Sequence, residues 1–383
     1  MMLKNIAKYK RYAFLFILFL ISILYFPQSA SAGYTLTILH TNDLHSHLDK
    51  FPRLFSVIEK IKKEKKGEDI LLLDSGDFMI GTLYHLLTKT SSPELTLMHT
   101  LGYDATCLGN HEFDWGCETL AKIITTAEKN KEGKTVPIVA SNICFNLFDD
   151  RDDALEKLYK KGIIKPYLIK TLSNGQKVGI IGILGKEAEE EAPGVPPAGF
   201  IHSVEFIRQK VNALREKDVD ILICLSHSGI KEDKKLAKSV KGIDIIIAGH
   251  CHTALFKPVH AGNTLILEAG SYADYLGKLE VFVENGKVEV RDYRLIPIDE
   301  NIPEDPSLQK TVAEYRDIID KKILSPFSLE VEYDKIMAEV DFNLTLEGET
   351  TPESNLGYLV ADAILFVATP AKQKDPVDFA FQP

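Results

Sequence analysis

Five apolar runs in this chain each end in residues that bind metals or move protons. TLTILHTN (35–42) leads into Asp43 and His45, and ILLLDSGD (70–77) ends at Asp77. DATCLGN (104–110) ends at Asn110, with His111, Glu112 and Asp114 just beyond it. DILICLSH (220–227) ends at His227, and DIIIAGH (244–250) leads through His250 to His252. Four to eight apolar residues bounded by turn signals read as buried strands. Taken singly the fragments are weak: Asn-His-Glu reads as a capped turn, and His227 as a satisfied loop histidine. The ordered set is strong, because a core does not place so many Asp and His side chains at strand ends. In α/β sheets ligands gather at the carboxyl ends of strands, so groups spread from Asp43 to His252 can converge there.

Helical spacing fills the gaps between the runs. It predicts helices over 51–66, 92–104 and 117–130, and near 203–217 and 231–240, with Ser92 as a cap and Pro93 in the first turn. TVPIVASN (135–142), KVGIIGILG (177–185), NTLILEAG (263–270), KLEVFVENGKVEV (278–290) and RDYRLIPI (291–298) read as further strands, with Asn285-Gly286 as a hairpin turn. Alternating strands and helices make this an α/β protein, and the late hairpin favours two packed mixed sheets over one open sheet. After the Pro-containing link 302–306, residues 306–323 form an amphipathic connector helix, and a new segment starts past Ser325.

Charge and termini narrow the function. The chain of 383 residues has a formal charge of −10, and residues 1–32 hold four bases and no acid. The remainder is more acidic still and repels polynucleotides and anionic lipid, so no nucleic-acid partner is expected. Lys4 to Arg11, the apolar stretch Tyr12–Phe26 and Ala30-Ser31-Ala32 form an export signal, 1–32, cleaved before Gly33. The apolar stretch is shorter than the roughly 20 residues of a spanning helix, so no stable membrane anchor is expected after cleavage. The mature chain is placed in the periplasm or outside the cell. Five cysteines leave at least one thiol free. Cys107, Cys224 and Cys251 border apolar runs and read as small buried thiols. Cys251 stands between His250 and His252. In an extended segment its side chain points away from one or both, so it is set aside as a ligand.

The chemistry is coherent. Two divalent cations roughly 3.5–4 Å apart can share a carboxylate, polarise a phosphoryl oxygen and ionise a bound water. A mixed Asp, His and Asn set suits Zn, Mn, Fe or Co better than calcium. The blocks DLH, GD, GNHE, SH and GHCH, in this order, resemble the calcineurin-like metallophosphoesterases. LTILHTNDLHSH, LGYDATCLGNHEFDWG and EAGSYADYLGKLEV are similar to the secreted 5′-nucleotidase branch, which includes UDP-sugar hydrolases.

The resemblance implies a four-layer α-β-β-α sandwich over 33–302, a linker helix over 303–324 and an incomplete α/β C-terminal domain over 325–383. It implies two divalent ions: one at Asp43, His45, Asp77 and His252, the other at Asp77, Asn110, His227 and His250, with Asp77 bridging. A metal-bridging hydroxide would attack phosphorus while His111, oriented by Asp114, stabilises the transition state. Glu112 reads as a supporting or turn group, His40 and His47 as supporting residues at best, and Arg53 as a helix-surface residue. The implied substrate is a small phosphate ester, in the first place a nucleoside 5′-monophosphate. UDP-sugars, cyclic nucleotides, thiosulfohydrolysis, general phosphodiesterase activity and an inactive metal-binding remnant stay open. EGETTPESNLGYLVADAI (347–364) resembles the start of the nucleotidase C-terminal domain, which supplies arginines and stacking rings in that family. Residues 325–383 contain no Arg, so the nucleotide pocket is expected to be incomplete, or supplied by a second chain.

Overall fold

The computed structural model describes residues 33–327 except 132 and 285, together with 332–336, 339, 344 and 354–368. The expected export signal and most of the segment beyond 327 lie outside them. One compact unit extends to Pro326, and a second begins at Phe327 with the helix Asn355–Ala368.

Two β-sheets organise the first unit. The seven-stranded sheet runs in the order Lys287–Pro297, Tyr275–Glu284, Tyr34–Thr41, Asp69–Asp74, Ala105–Cys107, Ile138–Val139 and Ile164–Lys165. From Tyr34–Thr41 to Ile164–Lys165 its strands are parallel. The six-stranded sheet runs Val259–Ala261, Thr264–Leu267, Ile245–Ala248, Ile221–His227, Lys177–Leu184 and Leu168–Thr171. Ile221–His227 lies between two parallel neighbours. Parallel strands need crossovers, and the amphipathic helices supply them.

The alternation of side chains explains the layers. Leu36, Ile38, Leu71 and Leu73 face Ile180, Ile221, Ile223 and Ile245 in one apolar cluster between the sheets. Their neighbours Leu39 and Leu72 point to the opposite face and are also buried, so that face is covered too. On the far side of the six-stranded sheet, Leu222, Cys224 and Ile246 pack with Ile207, Val211 and Leu214 of the helix Val204–Arg215. The result is helix, sheet, sheet, helix. Truncating a residue such as Ile38 in the central layer would cost about 2–5 kcal/mol.

Several elements differ from expectation. Ser92 does not cap the helix Pro93–Leu101: it sits at φ +45° and its hydroxyl has no partner among the described residues. A separate helix, His85–Ser91, precedes it. The strand expected over 135–142 shrinks to Ile138–Val139, because Ser141 and Asn142 leave the ladder to bind the Pro166 and Leu184 carbonyls. The last two expected strand segments belong to a hairpin, whose second strand, Lys287–Pro297, runs on without a break. Its turn residue Asn285 lies outside the described residues, and Glu284 pairs with Lys287 across the turn.

The helix Pro306–Ile319 is capped by Asp305, whose carboxylate accepts from Ser307 N and Leu308 N at 3.1 and 3.0 Å. It packs within the first unit: Leu308, Val312 and Ile319 are buried, and Arg316 donates to Asp49 at 3.0 Å and to the Tyr84 hydroxyl at 2.9 Å. Among the described residues no helix is long and apolar enough to cross a membrane.

Candidate dimetal centre

The parallel strands of both sheets aim their carboxyl ends at one place. The loop after Tyr34–Thr41 threads along the loop after Asp69–Asp74: Asp43 N donates to Gly76 O at 3.0 Å and His45 N to Asp77 O at 2.9 Å. Ser75 Oγ reaches across to Ile247 O at 2.6 Å and ties the two sheets together. His250 N donates to both Asp43 oxygens at 3.1 Å.

These loops are bent hard. Asp43, His45, Ser46, Asp77, Ile80, His250, His252, Tyr272 and Ala273 all sit at positive φ. Among the described residues, Ser92 and Asp218 are the only other non-glycine residues there. Each costs on the order of 1–3 kcal/mol, and such strain concentrates where side chains must be aimed. Gly109 lets the facing loop come close, since a Cβ there would stand 2.1 Å from Asp77 Oδ1.

All seven expected ligands come together. Asp77 Oδ2 is 3.1 Å from His227 Nε2 and 3.8 Å from His45 Nε2. Asp43 Oδ1 is 3.5 Å from His252 Nε2 and 3.9 Å from both His45 Nε2 and His227 Nε2. Asn110 Oδ1 lies 3.1 Å from His227 Nε2 and 3.2 Å from His250 Nδ1. Three overlapping groups, Asp43–His45–His252, His45–Asp77–His111 and Asp43–Asp77–His227, have the spacing to hold a metal ion.

The donor set fits cations. His45 Nδ1 donates to Ile80 O and His227 Nδ1 to Ser75 O, each at 2.8 Å. That fixes the tautomer and turns each Nε2 lone pair inward. His45 Nε2 and His252 Nε2 then face each other at 3.1 Å. Two such nitrogens beside two buried carboxylates call for positive charge between them. Burial disfavours charge on His227, yet Asp77 and Asp43 push its imidazole up to about 10. Burial likewise opposes ionisation of Asp77, but His227, His111 and His45 hold its carboxyl well below the usual range. Burial lowers His45 and His250, while the bond to Asp43 raises His252.

His111 stands at the edge of this cluster, its ring 5.2 Å from that of His45. Its Nδ1 meets Asp114 Oδ2 at 3.0 Å, a bond that outweighs burial and carries the imidazole up to about 9. The site opens into a cavity of about 460 Å³, lined among others by His45, His111, His252, Glu191 and Tyr272.

Other expectations resolve differently. His40 is buried under Gly277 and stacks on Tyr293 at 6.2 Å, and its ring nitrogens have no hydrogen-bond partner among the described residues. His47 lines the cavity and packs on Tyr272 at 4.6 Å. Arg53 pairs with Glu304 at 2.8 Å. All five cysteines are free, and Cys251 is exposed rather than buried. The segment is not extended there, because His250 and His252 are both left-handed. The thiol faces Glu268 at 3.3–3.4 Å. Tyr272 and Glu191 also line the cavity, and neither is marked by a sequence signal. Tyr272 lies inside the EAGSYADYLGKLEV block, where nothing marks an aromatic at a cavity mouth from one in a core.

Comparison with known proteins agrees with this geometry. The calcineurin-like phosphoesterase family profile matches residues 36–254, more than half of the chain. The chain is 32% identical over 361 residues to the trifunctional nucleotide phosphoesterase protein YfkN of Bacillus subtilis (strain 168), covering 88% of this chain and 24% of that protein. It is 30% identical over 372 residues to the 5′-nucleotidase of Bos taurus, covering 88% of this chain and 60% of the relative. The crystal structure of the 5′-nucleotidase precursor from Thermus thermophilus superposes with a TM-score of 0.70 at 27% identity, covering 88% of this chain and 67% of that one. The chain thus spans about 60% of the length of the 5′-nucleotidases it matches. The strand-end cluster and the family match lead to one conclusion: this chain belongs to the calcineurin-like phosphoesterase family.

Proposed function

We propose that the protein is a two-metal phosphohydrolase that releases phosphate from nucleoside 5′-monophosphates. The observation that carries this reading is the convergence of seven oxygen- and nitrogen-bearing side chains, Asp77 among them, with His111 beside them and paired to Asp114 at 3.0 Å. Nucleotide specificity is supported by the relatives named 5′-nucleotidase.

In this reading Asp43, His45, Asp77 and His252 would hold one divalent ion, and Asp77, Asn110, His227 and His250 would hold the other. Two such ions would supply Lewis-acid polarisation of a phosphoryl oxygen and would bring a water toward ionisation near neutral pH. The chain's own residues do the rest. The buried carboxylates and inward Nε2 atoms would fix where the ions sit. His111, kept protonated by Asp114, offers an N–H to the charge that builds on the phosphoryl and leaving oxygens. Water adds to phosphorus, the ester P–O bond breaks, and the leaving oxygen departs with a proton as the nucleoside hydroxyl.

The test is phosphate release from AMP and from p-nitrophenyl phosphate by the Mn²⁺-loaded chain. Release of one phosphate per adenosine, lost on chelation, is expected. No release from either substrate by a chain that binds two ions would overturn the reading.

A further inference from the structure

Glu112 neither lines the cavity nor points at the cluster of inward donors. Its side chain is 1% exposed and lies behind the ligand loops. Oε2 accepts from Gly109 N at 2.6 Å and Asp77 N at 2.9 Å. Oε1 accepts from Phe78 N at 3.1 Å and Met79 N at 3.2 Å. A carboxylate offers about four lone-pair sites, and here every one is taken by a backbone N–H. No amide or alcohol side chain can accept four.

The bonds fall on the backbone that most needs holding. Asp77 is left-handed at φ +53°, and Ile80, a β-branched residue, at φ +61°. Glu112 takes three successive N–H groups of that turn and one from Gly109 on the facing loop. Asp77 Oδ1 in turn accepts from His111 N at 2.9 Å, and Ile80 O orients the His45 ring. One buried carboxylate therefore ties down the bridging ligand, the ring of a second ligand, and the loop bearing Asn110 and His111.

We propose that Glu112 is a positioning residue: it locks the 77–80 turn against Gly109 and so sets the spacing between the two metal positions through Asp77. This rests on the two-metal reading. The side chain touches neither ion nor substrate; its effect reaches them only through Asp77, His45 and Asn110.

The experiment uses the full chain with Mn²⁺ as the probe. Calorimetry measures affinity and stoichiometry, electron paramagnetic resonance reports exchange coupling between two ions sharing a carboxylate, and melting is followed without metal. Wild type should bind two Mn²⁺ with a coupled spectrum. Glu112→Gln puts an amide NH₂ against backbone donors and should weaken Mn²⁺ binding by about ten- to a hundredfold, with the coupled signal lost or altered. At saturating Mn²⁺, kcat for p-nitrophenyl phosphate should fall while KM changes little. Glu112→Asp keeps the carboxyl group but is too short to reach both loops, and should show the same change in smaller measure. A purely structural residue would lower the melting temperature alone. Either folded variant binding two Mn²⁺ with wild-type affinity and an unchanged spectrum would overturn the positioning role and leave the two-metal reading intact. Wild type failing to bind a coupled pair would overturn both.

Discussion

The floor of the site and its rim are built from the same residue types but by different physics. Asp43, Asp77 and His227 are at most 2% exposed, whereas the His111 and Asp114 side chains are 36% and 28% exposed. Floor residues are aimed by backbone: left-handed turns, inter-loop N–H bonds and imidazoles anchored on carbonyls. The rim pair is aimed by one side-chain bond across a single turn. Charges on the floor are little screened by water and depend on one another, while the rim is wetter and more independent. Damage to the floor should therefore be all-or-none, and damage to the rim graded.

The largest effect should come from the centre of the floor. Asp77→Ala removes the carboxylate proposed to be shared, so both ions should be lost and phosphatase activity should drop to background. Metal analysis that finds one ion retained at full occupancy would break the comparison at its strongest point, because the floor would then be separable. At the rim, His111→Ala should keep both ions and lower kcat by roughly 10²–10³, as expected for losing one charge-stabilising donor. Unchanged turnover with both ions present would remove His111 from the chemistry.

The same contrast explains what was legible in the sequence. Strand ends could be read because buried parallel strands are short apolar runs, and the polar residue that closes each run is conspicuous. Both sheets and the convergence of Asp43, His45, Asp77, Asn110, His227, His250 and His252 follow from those runs and the strand-end rule. Glu112 was legible as something other than a ligand, but not its target. Three of its four partners are backbone N–H groups more than 30 residues away, and a backbone group carries no residue-type signal. Cys251 reads as buried because it borders an apolar run, but the strand ends at Ala248 and the chain turns through left-handed His250 and His252, which leaves the residue exposed. Ile138–Val139 came out shorter than expected because Ser141 and Asn142 use their side chains to join the sheets, a tertiary choice that local pattern does not contain.

A smaller effect sharpens the rim. Asp114→Asn leaves His111 in place with a neutral partner, so the imidazole should be oriented but less readily charged. About a tenfold loss in kcat, with metal binding unchanged, is the expected outcome. A loss as deep as that of His111→Ala would mean that the pair acts as one unit, as the floor does.

The smallest effect tests burial with no cation in play. Glu94, 1% exposed, accepts from Ser46 Oγ and Thr88 Oγ1, both at 2.7 Å on Oε1, while Oε2 has no partner among the described residues. Burial pushes its carboxyl from 4.5 up to about 7, against the pull of those two hydroxyls. A carboxyl raised on folding favours the folded state only while it is protonated there. Its contribution is complete below about pH 4.5 and is lost as pH rises through about 7. Glu94→Gln reproduces the neutral acid: its carbonyl can accept from both hydroxyls, and its amide takes the unpartnered position. The variant should melt close to wild type near pH 4 and a few degrees higher at pH 8. Metal-free protein is the right sample, so that floor occupancy does not enter. A difference between the two proteins that is the same at both pH values would show that Glu94 is no stability switch. Burial alone would then not account for how acids behave behind the floor, and the contrast between floor and rim would have to rest on the ligand loops themselves.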